Sequence, residues 1–277
     1  MKQRTDPLTW MTVEDGLVKL SVDEFPDGSF RFTVDVDKLD VEYPIHVTLL
    51  TTLPEAMIGL FQVVGALQDH FNSLAEIHLI IQTFPDQRAD RIEKPGQSVP
   101  AVISAAFIGV MNVQEIIVYD PHSPVFVDTL KTVTQASVHV VPANQCFEDT
   151  LWDSNLEESR IDYIVAVDKG SVGRAETTAE QYDAGVVYAD KKRVEGKVVG
   201  HELIGPFQDV GPHDNIWVVD DLCDGGATFI SIAKLLRETY KFGELNLYVT
   251  HGLFSKGKDE LAKHFDTIVA RFDYAAD

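Results

Sequence analysis

Cysteine, basic residues and long uninterrupted apolar runs are all scarce in this sequence of 277 residues. The two cysteines, Cys146 and Cys223, lack the spacing of a metal-binding motif. So few cysteines fit a reducing intracellular compartment, and we expect a cytoplasmic protein. The first residues are charged and polar, which argues against a secretory signal peptide. No uncharged apolar stretch is long enough to cross a bilayer, so we expect no membrane association.

The shortage of positive charge narrows the range of partners. Lys and Arg number 23 against 44 Asp and Glu, which gives a formal net charge of −21. A chain this acidic repels nucleic acids and anionic lipid surfaces, so we expect neither as a partner. A small phosphorylated ligand remains compatible with this charge, because a few well-placed cations are enough to bind it.

Strand-length apolar runs alternate with helix-length segments along the chain. This alternation predicts an α/β fold in two domains, each with a largely parallel sheet covered by helices on both faces. We place the boundary in the polar segment 141–160, which we interpret as irregular, so that the domains span residues 1–142 and 143–277. Near the start, residues 17–22 and 29–36 alternate apolar and polar positions around Phe25-Pro26-Asp27-Gly28, which predicts a β-hairpin.

The segment 215–236 carries the clearest chemical signal. Residues 216–219 are apolar and rich in branched side chains, which predicts a buried strand, and Asp220 and Asp221 follow at its end. A glycine-rich turn then leads into a predicted helix through Asp224, Gly225, Gly226, Ala227 and Thr228. Backbone N–H groups of such a turn can hold a phosphate, and paired carboxylates can bind sugar hydroxyls or a divalent metal. The alternative is a structural strand–turn–helix unit that Asp224 caps.

This order of strand, paired acids, glycine turn and Thr resembles the phosphoribosyl-diphosphate-binding signature of type I phosphoribosyltransferases and of ribose-phosphate diphosphokinases, the PRPP synthetases. Further segments resemble the diphosphokinases alone, and the resemblance extends over residues 25–269. It implies two similar domains of the type I phosphoribosyltransferase kind, an N-terminal ATP-binding domain and a C-terminal ribose-phosphate-binding domain.

Two N-terminal segments resemble the family's ATP-binding elements. The basic loop 87–95, which composition alone would leave as a solvated loop, is similar to the family's ATP-binding loop at four positions: Arg88, Asp90, Arg91 and Lys94. The hairpin tip is similar to the adenine-contacting hairpin at Phe25 and Asp27. In the family this hairpin reaches the ATP of a neighbouring subunit, so the resemblance implies a homodimer or a larger assembly.

Three shorter matches supply the remaining candidate residues. Asp120-Pro121-His122 resembles the Asp-x-His turn at the family's ATP–metal centre, and Asp168 matches the aspartate that holds a metal near the ribose. Lys191 and Arg193, in a predicted charged loop at 191–196, match the Lys-x-Arg of the mobile catalytic loop. The resemblance therefore implies Mg²⁺ held by His122, Asp168 and Asp220, and catalysis by Lys191, Arg193 and His122.

The implied reaction is diphosphate transfer from ATP. The β,γ-diphosphate moves to the anomeric 1-hydroxyl of a 5-phosphorylated ribose, and AMP is released. The turn at Gly225 departs from the common Asp-Thr-Ala/Cys-Gly-Thr by losing a hydroxyl donor. Divergent members of this kind accompany nicotinamide salvage in phages and some bacteria, and some use ADP-ribose as acceptor.

The resemblance leaves several alternatives open. The acceptor is predicted to be ribose 5-phosphate, which gives PRPP, or ADP-ribose, which gives ADP-ribose 1-diphosphate for NAD synthesis from nicotinamide. A phage-encoded enzyme would act in the host cytoplasm. The rival functions are a type I phosphoribosyltransferase, which consumes a 1-diphosphate, and a non-catalytic regulatory subunit of a synthetase.

Overall fold

A computed structural model describes residues 6–40, 42–51, 53–194, 197–205 and 210–275, with side chains except at positions 7 and 191–201. The chain divides into two compact units, unit 1 (Met1–Val141) and unit 2 (Pro142–Asp277). Each unit has its own sheet, and unit 1 has an additional two-stranded hairpin.

The main sheet of unit 1 has five strands in the order β1-β4-β5-β6-β7. Strands β4 to β7 are parallel, and β1 joins β4 antiparallel at one edge. The hairpin pairs β2 with β3. The strands are β1 (Met11–Val13), β2 (Leu20–Glu24), β3 (Phe30–Val34), β4 (Ile45–Leu49), β5 (Ile77–Ile81), β6 (Glu115–Tyr119) and β7 (Ser137–Val141).

Three helices connect the parallel strands of unit 1: α1 (Glu55–His70), α2 (Pro100–Gly109) and α3 (Pro124–Val133). The strand order rises steadily from β4 to β7, so right-handed crossovers place all three helices on one face of the sheet. Contacts of α2 with both α1 and α3 agree with this arrangement. The prediction of helices on both faces is therefore wrong for unit 1, because the alternation of strands and helices does not by itself set the direction of the crossovers.

The predicted N-terminal hairpin is confirmed. Its turn closes with hydrogen bonds of 2.8 Å from Phe25 N–H to Ser29 O and from Gly28 N–H to Phe25 O. Gly28 has a φ of +82°, a left-handed conformation that glycine adopts without strain. The amide of Gln62 on α1 accepts a bond from Phe32 N–H and donates one to Phe30 O, at 2.9 and 3.0 Å. These two bonds fix the hairpin to α1.

The sheet of unit 2 has six strands in the order β10-β9-β8-β11-β12-β13. All neighbours are parallel except the edge pair β10 and β9. The strands are β8 (Tyr163–Ala166), β9 (Gly185–Val194), β10 (Lys197–Ile204), β11 (Ile216–Cys223), β12 (Leu245–Gly252) and β13 (Thr267–Asp273). Its helices are α4 (Ala143–Asp153), α5 (Val172–Glu180) and α6 (Ala227–Thr239).

The crossovers of unit 2 reverse direction between β8 and β11. These strands are neighbours, but α5 leads from β8 to β9 on one side, whereas α6 leads from β11 to β12 on the other. Right-handed connections in opposite directions put α5 and α6 on opposite faces of the sheet. In open α/β sheets a ligand usually binds in the crevice at such a reversal, which here corresponds to the carboxyl ends of β8 and β11.

One helix occupies a segment predicted to be irregular. Within residues 141–160, α4 forms and buries Cys146, Phe147, Thr150 and Leu151 along one stripe. The ring of Phe147 meets the rings of Trp217 and Tyr248 edge to face, with centroids 5.4 and 4.8 Å apart. The polar residues of this helix lie on its outer face, and its inner face packs in the core of unit 2.

Two strands extend further than predicted. Strand β9 continues through residues 191–194, which we expected to lie in a charged loop, because β10 pairs with it antiparallel along this stretch. The remaining part of the expected loop, residues 195–196, lies outside the described residues. Strand β11 continues to Cys223, so that Asp220 and Asp221 lie within the strand and do not follow it.

Candidate active site

The acidic pair lies on β11 at the crevice of unit 2. Asp220 is in register with Val249 of β12, and β8 ends beside the preceding part of β11. Arg174 of α5 places one guanidinium nitrogen 3.7 Å from a carboxylate oxygen of Asp220 and 3.9 Å from one of Asp221. The Arg174 side chain is 15% exposed and that of Asp221 only 5%. An internal cation thus partly neutralises the two carboxylates, and the sequence alone did not single it out.

The environment of Asp220 raises its pKa well above the usual value for a carboxyl group. Burial is the largest cause and the negative charge of Asp221 the second, while Arg174 acts in the opposite direction. Such a carboxyl is the type of group that gains most from a bound cation or hydroxyl donor, since either stabilises its charged form. The pair is therefore a strong candidate for a ligand site.

Asp168 follows β8 and has a local structural role. Its Oδ1 accepts bonds from Gly170 N–H at 2.8 Å and Ser171 N–H at 3.1 Å. Ser171 returns a bond through its hydroxyl, which accepts from Asp168 N–H at 3.2 Å, and together these contacts form a capping box. The cap holds Asp168 just beyond the carboxyl end of β8, the strand next to the one that carries the acidic pair. Its predicted metal role stays a prediction.

The glycine turn leads into α6 as predicted. Gly226 is the N-cap residue, has a left-handed φ of +75°, and no side chain caps this helix. Asp224 instead accepts a hydrogen bond from the Ser255 hydroxyl, so the alternative in which Asp224 caps the helix is wrong. Ala227 and Thr228 lie in the first turn of α6, where backbone N–H groups have no acceptor within the helix. The start of α6 therefore suits an anionic ligand.

The predicted catalytic pair lies on the β9–β10 hairpin. Residues 191 and 193 are two apart on β9 and so share one face of the strand, with backbone partners His201 and Val198 on β10. The last residue of β8, Ala166, pairs with Tyr188, so β9 runs six residues beyond the end of β8. The hairpin thus extends beyond the carboxyl end of β8, where Asp168 also lies. The side chains of Lys191 and Arg193 lie outside the described residues.

In unit 1 the basic loop follows the carboxyl end of β5. Arg88, Arg91 and Lys94 are exposed, whereas Asp90 is largely buried and lies 3.5 Å from the Arg91 guanidinium. The amide oxygen of Gln97 accepts bonds from the backbone N–H groups of residues 93 and 94, both at 2.9 Å, which fixes the loop. Three exposed cations on an anchored loop can bind a polyphosphate.

The Asp-x-His turn follows the carboxyl end of β6, the strand next to β5. Asp120 is buried and has a positive φ of 34°, an uncommon conformation for a residue other than glycine. Its N–H donates to Val141 O at the end of β7. Because β5 and β6 are parallel, the basic loop and the His122 turn lie at the same edge of the sheet.

The hairpin residues Phe25 and Asp27 lie at an exposed tip of unit 1. The guanidinium of Arg31 stands 5.3 Å from the centre of the Phe25 ring. Asp27 accepts bonds from the Ser29 hydroxyl at 2.7 Å and from Ser29 N–H at 2.9 Å, and these bonds lower the pKa of its carboxyl group. Asp27 thus shapes the turn, and Phe25 is presented on it.

The described residues include no group of three or more His, Cys, Asp or Glu side chains arranged to hold a metal ion. Mg²⁺ seldom uses such a protein cage, since it commonly takes one or two carboxylates together with substrate phosphates and water. Oxygen ligands at Asp220 and Asp221 fit this pattern of binding.

Across the described residues, no helix is both long enough and apolar enough to cross a membrane.

Comparison with known proteins places the chain among enzymes of one type. No protein-family model matches it. The ribose-phosphate pyrophosphokinase of Thermococcus kodakarensis is 28% identical over 251 residues, which are 88% of this chain and 81% of the relative. That of Pyrococcus furiosus is 26% identical over 255 residues, 91% and 85% of the two chains.

A solved structure shows the same fold. The phosphoribosylpyrophosphate synthetase of Mycobacterium smegmatis matches with a TM-score of 0.68 at 18% identity, over 90% of this chain and 78% of that one. The fold is thus that of a two-unit α/β protein with mostly parallel sheets flanked by helices, and the predicted fold class is confirmed. Over most of its length the chain is similar to ribose-phosphate pyrophosphokinases, which are diphosphotransferases, as its sequence motifs predicted.

Proposed function

We propose that the protein transfers the β,γ-diphosphate of ATP to the 1-hydroxyl of a 5-phosphorylated ribose. The observation that carries this proposal is the crevice of unit 2, where a buried acidic pair adjoins a helix start without a side-chain cap. Carboxylates for ribose hydroxyls beside N–H donors for a phosphate fit a ribose 5-phosphate group. The curated relatives carry the name of this activity.

In the proposed reaction the acceptor is held by unit 2. Asp220 and Asp221 accept hydrogen bonds from the ribose hydroxyls, and residues 224–228 hold the 5-phosphate. The 1-hydroxyl oxygen attacks the β-phosphorus of ATP, its proton passes to solvent water, and the bond from that phosphorus to the α-phosphate oxygen breaks to release AMP. Lys191 and Arg193 stabilise the negative charge that shifts towards the leaving group.

ATP is held by unit 1 in this proposal. Arg88, Arg91 and Lys94 bind the phosphates, Asp90 orients Arg91, and the exposed ring of Phe25 from a neighbouring subunit stacks on the adenine beside Asp27. We assign His122, Asp168 and Asp220 to Mg²⁺. Mg²⁺ bound at these residues would supply positive charge for the phosphate oxygens of ATP and for the ribose hydroxyls.

Two acceptors fit the turn at residues 224–228. Ribose 5-phosphate presents a terminal dianion, whereas ADP-ribose presents a diphosphate that continues into a nucleoside. Gly225 adds no side chain of its own to the turn, and this feature supports ADP-ribose as an acceptor. With that acceptor the product would serve NAD synthesis from nicotinamide in the cytoplasm, of a host cell if the protein is phage-encoded.

Product analysis tests the function directly. The protein is incubated with ATP, Mg²⁺ and either ribose 5-phosphate, ADP-ribose or unphosphorylated ribose, and the products are followed by phosphorus NMR and mass spectrometry. We expect AMP and an acceptor 1-diphosphate in equal amounts with a phosphorylated acceptor, and neither with ribose. Asp221→Asn, which keeps the shape of the side chain, is the inactive control.

The same assay separates the rival functions. A phosphoribosyltransferase would consume PRPP in the presence of a base and release no AMP from ATP. A regulatory subunit would bind ATP without forming any product. Either outcome would refute the proposed reaction, and a ratio of kcat/KM in favour of one acceptor would identify the physiological substrate.

We also propose that the active unit is a homodimer or a larger assembly. Ile103 and Phe107 of α2, Val110 directly after this helix and Ile58 of α1 are exposed apolar side chains of unit 1. Contiguous apolar surface of this kind often marks a protein contact. We expect Phe107→Glu to shift the mass measured by light scattering towards the monomer. A wild-type protein that is fully active as a monomer would refute the proposal.

A further inference from the structure

Lys256 lies over the glycine turn of unit 2. A methyl group placed on Gly225 would lie 3.4 Å from Lys256 Cε, 3.5 Å from Cδ and 3.8 Å from Nζ. The side chain of Lys256 therefore runs alongside Gly225, and its ammonium group stands next to the turn. Lys256 comes from the loop after β12, four residues beyond Gly252, the last residue of that strand.

The loop that carries Lys256 is fixed to the turn. Leu253 N–H and Phe254 N–H both donate to Cys223 O, at 2.9 and 3.1 Å. Ser255 N–H donates to Asp224 O at 3.1 Å, and the Ser255 hydroxyl donates to the Asp224 carboxylate. Four hydrogen bonds thus connect residues 253–255 to the turn, and they hold the backbone of the next residue, Lys256, beside it.

The ammonium group of Lys256 makes neither a hydrogen bond nor an ion pair with any residue that the structure describes. Its neighbours in unit 2 differ, since Lys258 pairs with Asp273 at 2.6 Å and Lys263 pairs with Glu260. In a chain with a net charge of −21, an unpaired cation at this turn attracts a ligand of opposite charge.

The two glycines of the turn have different physical roles. Gly226 has a φ of +75°, and a methyl group on it would lie 3.1 Å from Leu261, so both backbone and packing require glycine. Gly225 has no such φ, and a methyl group there would make only ordinary contacts, all with Lys256. The backbone therefore does not require glycine at position 225, and any side chain there would contact Lys256.

We propose that Lys256 is a specificity-determining residue that binds the phosphate of the acceptor at the 224–228 turn. This inference rests on the proposed function. The family commonly has a threonine in this turn, whose hydroxyl can donate a neutral hydrogen bond to the phosphate. In this chain the ammonium group of Lys256 supplies a charge-assisted contact instead. It can contact a terminal phosphate or the first phosphate of a diphosphate, so it selects phosphorylated over unphosphorylated ribose.

Lys256→Met tests the inference, because methionine keeps most of the side-chain length and removes the charge. Binding of ribose 5-phosphate and of ADP-ribose is measured by calorimetry, beside steady-state kinetics. We expect Kd and KM for the better acceptor to rise roughly tenfold to a hundredfold, with the KM for ATP unchanged. The matched control is Lys241→Met, an exposed cation that gives the same change of net charge.

Salt dependence provides a readout that a structural role would not change. Acceptor affinity of the wild type should fall as ionic strength rises, and the slope should be smaller for Lys256→Met because one contributing charge is gone. Lys256→Arg should recover part of the affinity. A Kd and salt slope equal to those of the wild type would overturn the role of Lys256 while leaving the proposed reaction intact. If the wild type binds neither acceptor, the proposed function fails, and this inference fails with it.

Discussion

The two units alternate strands and helices in the same way, but they differ in the direction of their crossovers. In unit 1 the connections from β4 to β7 all run one way, whereas in unit 2 they reverse between β8 and β11. The reversal places Asp168, Asp220 and the start of α6 around one crevice on rigid elements. The candidate nucleotide residues of unit 1 lie instead on loops and on a hairpin tip. The proposed acceptor site thus lies mainly at the ends of strands and at a helix start, whereas the proposed nucleotide site lies on loops.

Truncation of the aromatic core of unit 2 should have the largest effect. Phe147→Ala removes a fully buried ring between Trp217 and Tyr248, and we expect it to lower the free energy of unfolding of unit 2 by about 3–5 kcal/mol. Urea denaturation with hydrogen-exchange mass spectrometry would assign the loss to a unit. Trp152→Ala, on the exposed face of the same helix, should change stability by only about 0.5 kcal/mol. Equal effects of the two substitutions would remove α4 from the core.

Replacement of Lys191, the proposed catalytic cation, should have the second-largest effect. Lys191→Ala should lower kcat roughly a hundredfold to a thousandfold, with little change in ATP binding. This loss corresponds to an increase of about 3–4 kcal/mol in the activation free energy. Residue 192 lies on the opposite face of β9, so Lys192→Ala is the matched control. Rapid-quench kinetics measures the transfer step, and near-normal turnover of Lys191→Ala would exclude this residue from catalysis.

The internal cation of unit 2 should give an intermediate effect. Arg174→Met leaves Asp220 and Asp221 without their nearest described positive charge, and we expect acceptor KM to rise roughly tenfold to a hundredfold. Arg174→Lys should recover part of the loss, while the KM for ATP stays near the wild-type value. An equal rise for ATP would show that the two ligands do not use separate units.

The loop-built site of unit 1 should show the smallest effect. Arg88→Ala removes one of three exposed cations from the basic loop, so we expect KM for ATP to rise by less than about tenfold, with an unchanged acceptor KM. Initial rates at saturating acceptor measure this change. A large fall in kcat would mean that Arg88 acts in the transfer step and not in ATP binding.

The sequence predicted the elements whose patterns are local. The hairpin, the strands before the basic loop and the acidic pair, and the glycine turn all have short-range signals in apolar spacing and turn residues. Helix α4 was missed because four inward positions, Cys146, Phe147, Thr150 and Leu151, are diluted by polar residues on its outer face. Strand β11 was predicted too short because adjacent charged residues rarely lie within a buried strand.

The partners of the site residues could not be predicted from spacing. Arg174 meets Asp220 and Asp221 only after β8, α5 and β11 pack together. Lys256 meets Gly225 only because the loop after β12 bonds to Cys223 and Asp224. Such contacts join residues far apart in the chain, so folding has to bring them together before their chemistry becomes visible.

The division of ligands between the units is the central claim, and a hydrogen-exchange footprint tests it most directly. The protein is measured alone, with a non-hydrolysable ATP analogue and Mg²⁺, and with ribose 5-phosphate or ADP-ribose. The account predicts that the analogue slows exchange in residues 82–99 of unit 1, whereas the acceptor slows exchange in residues 220–230 and 253–257 of unit 2. Protection of the same unit by both ligands, or no protection at the start of α6, would contradict it.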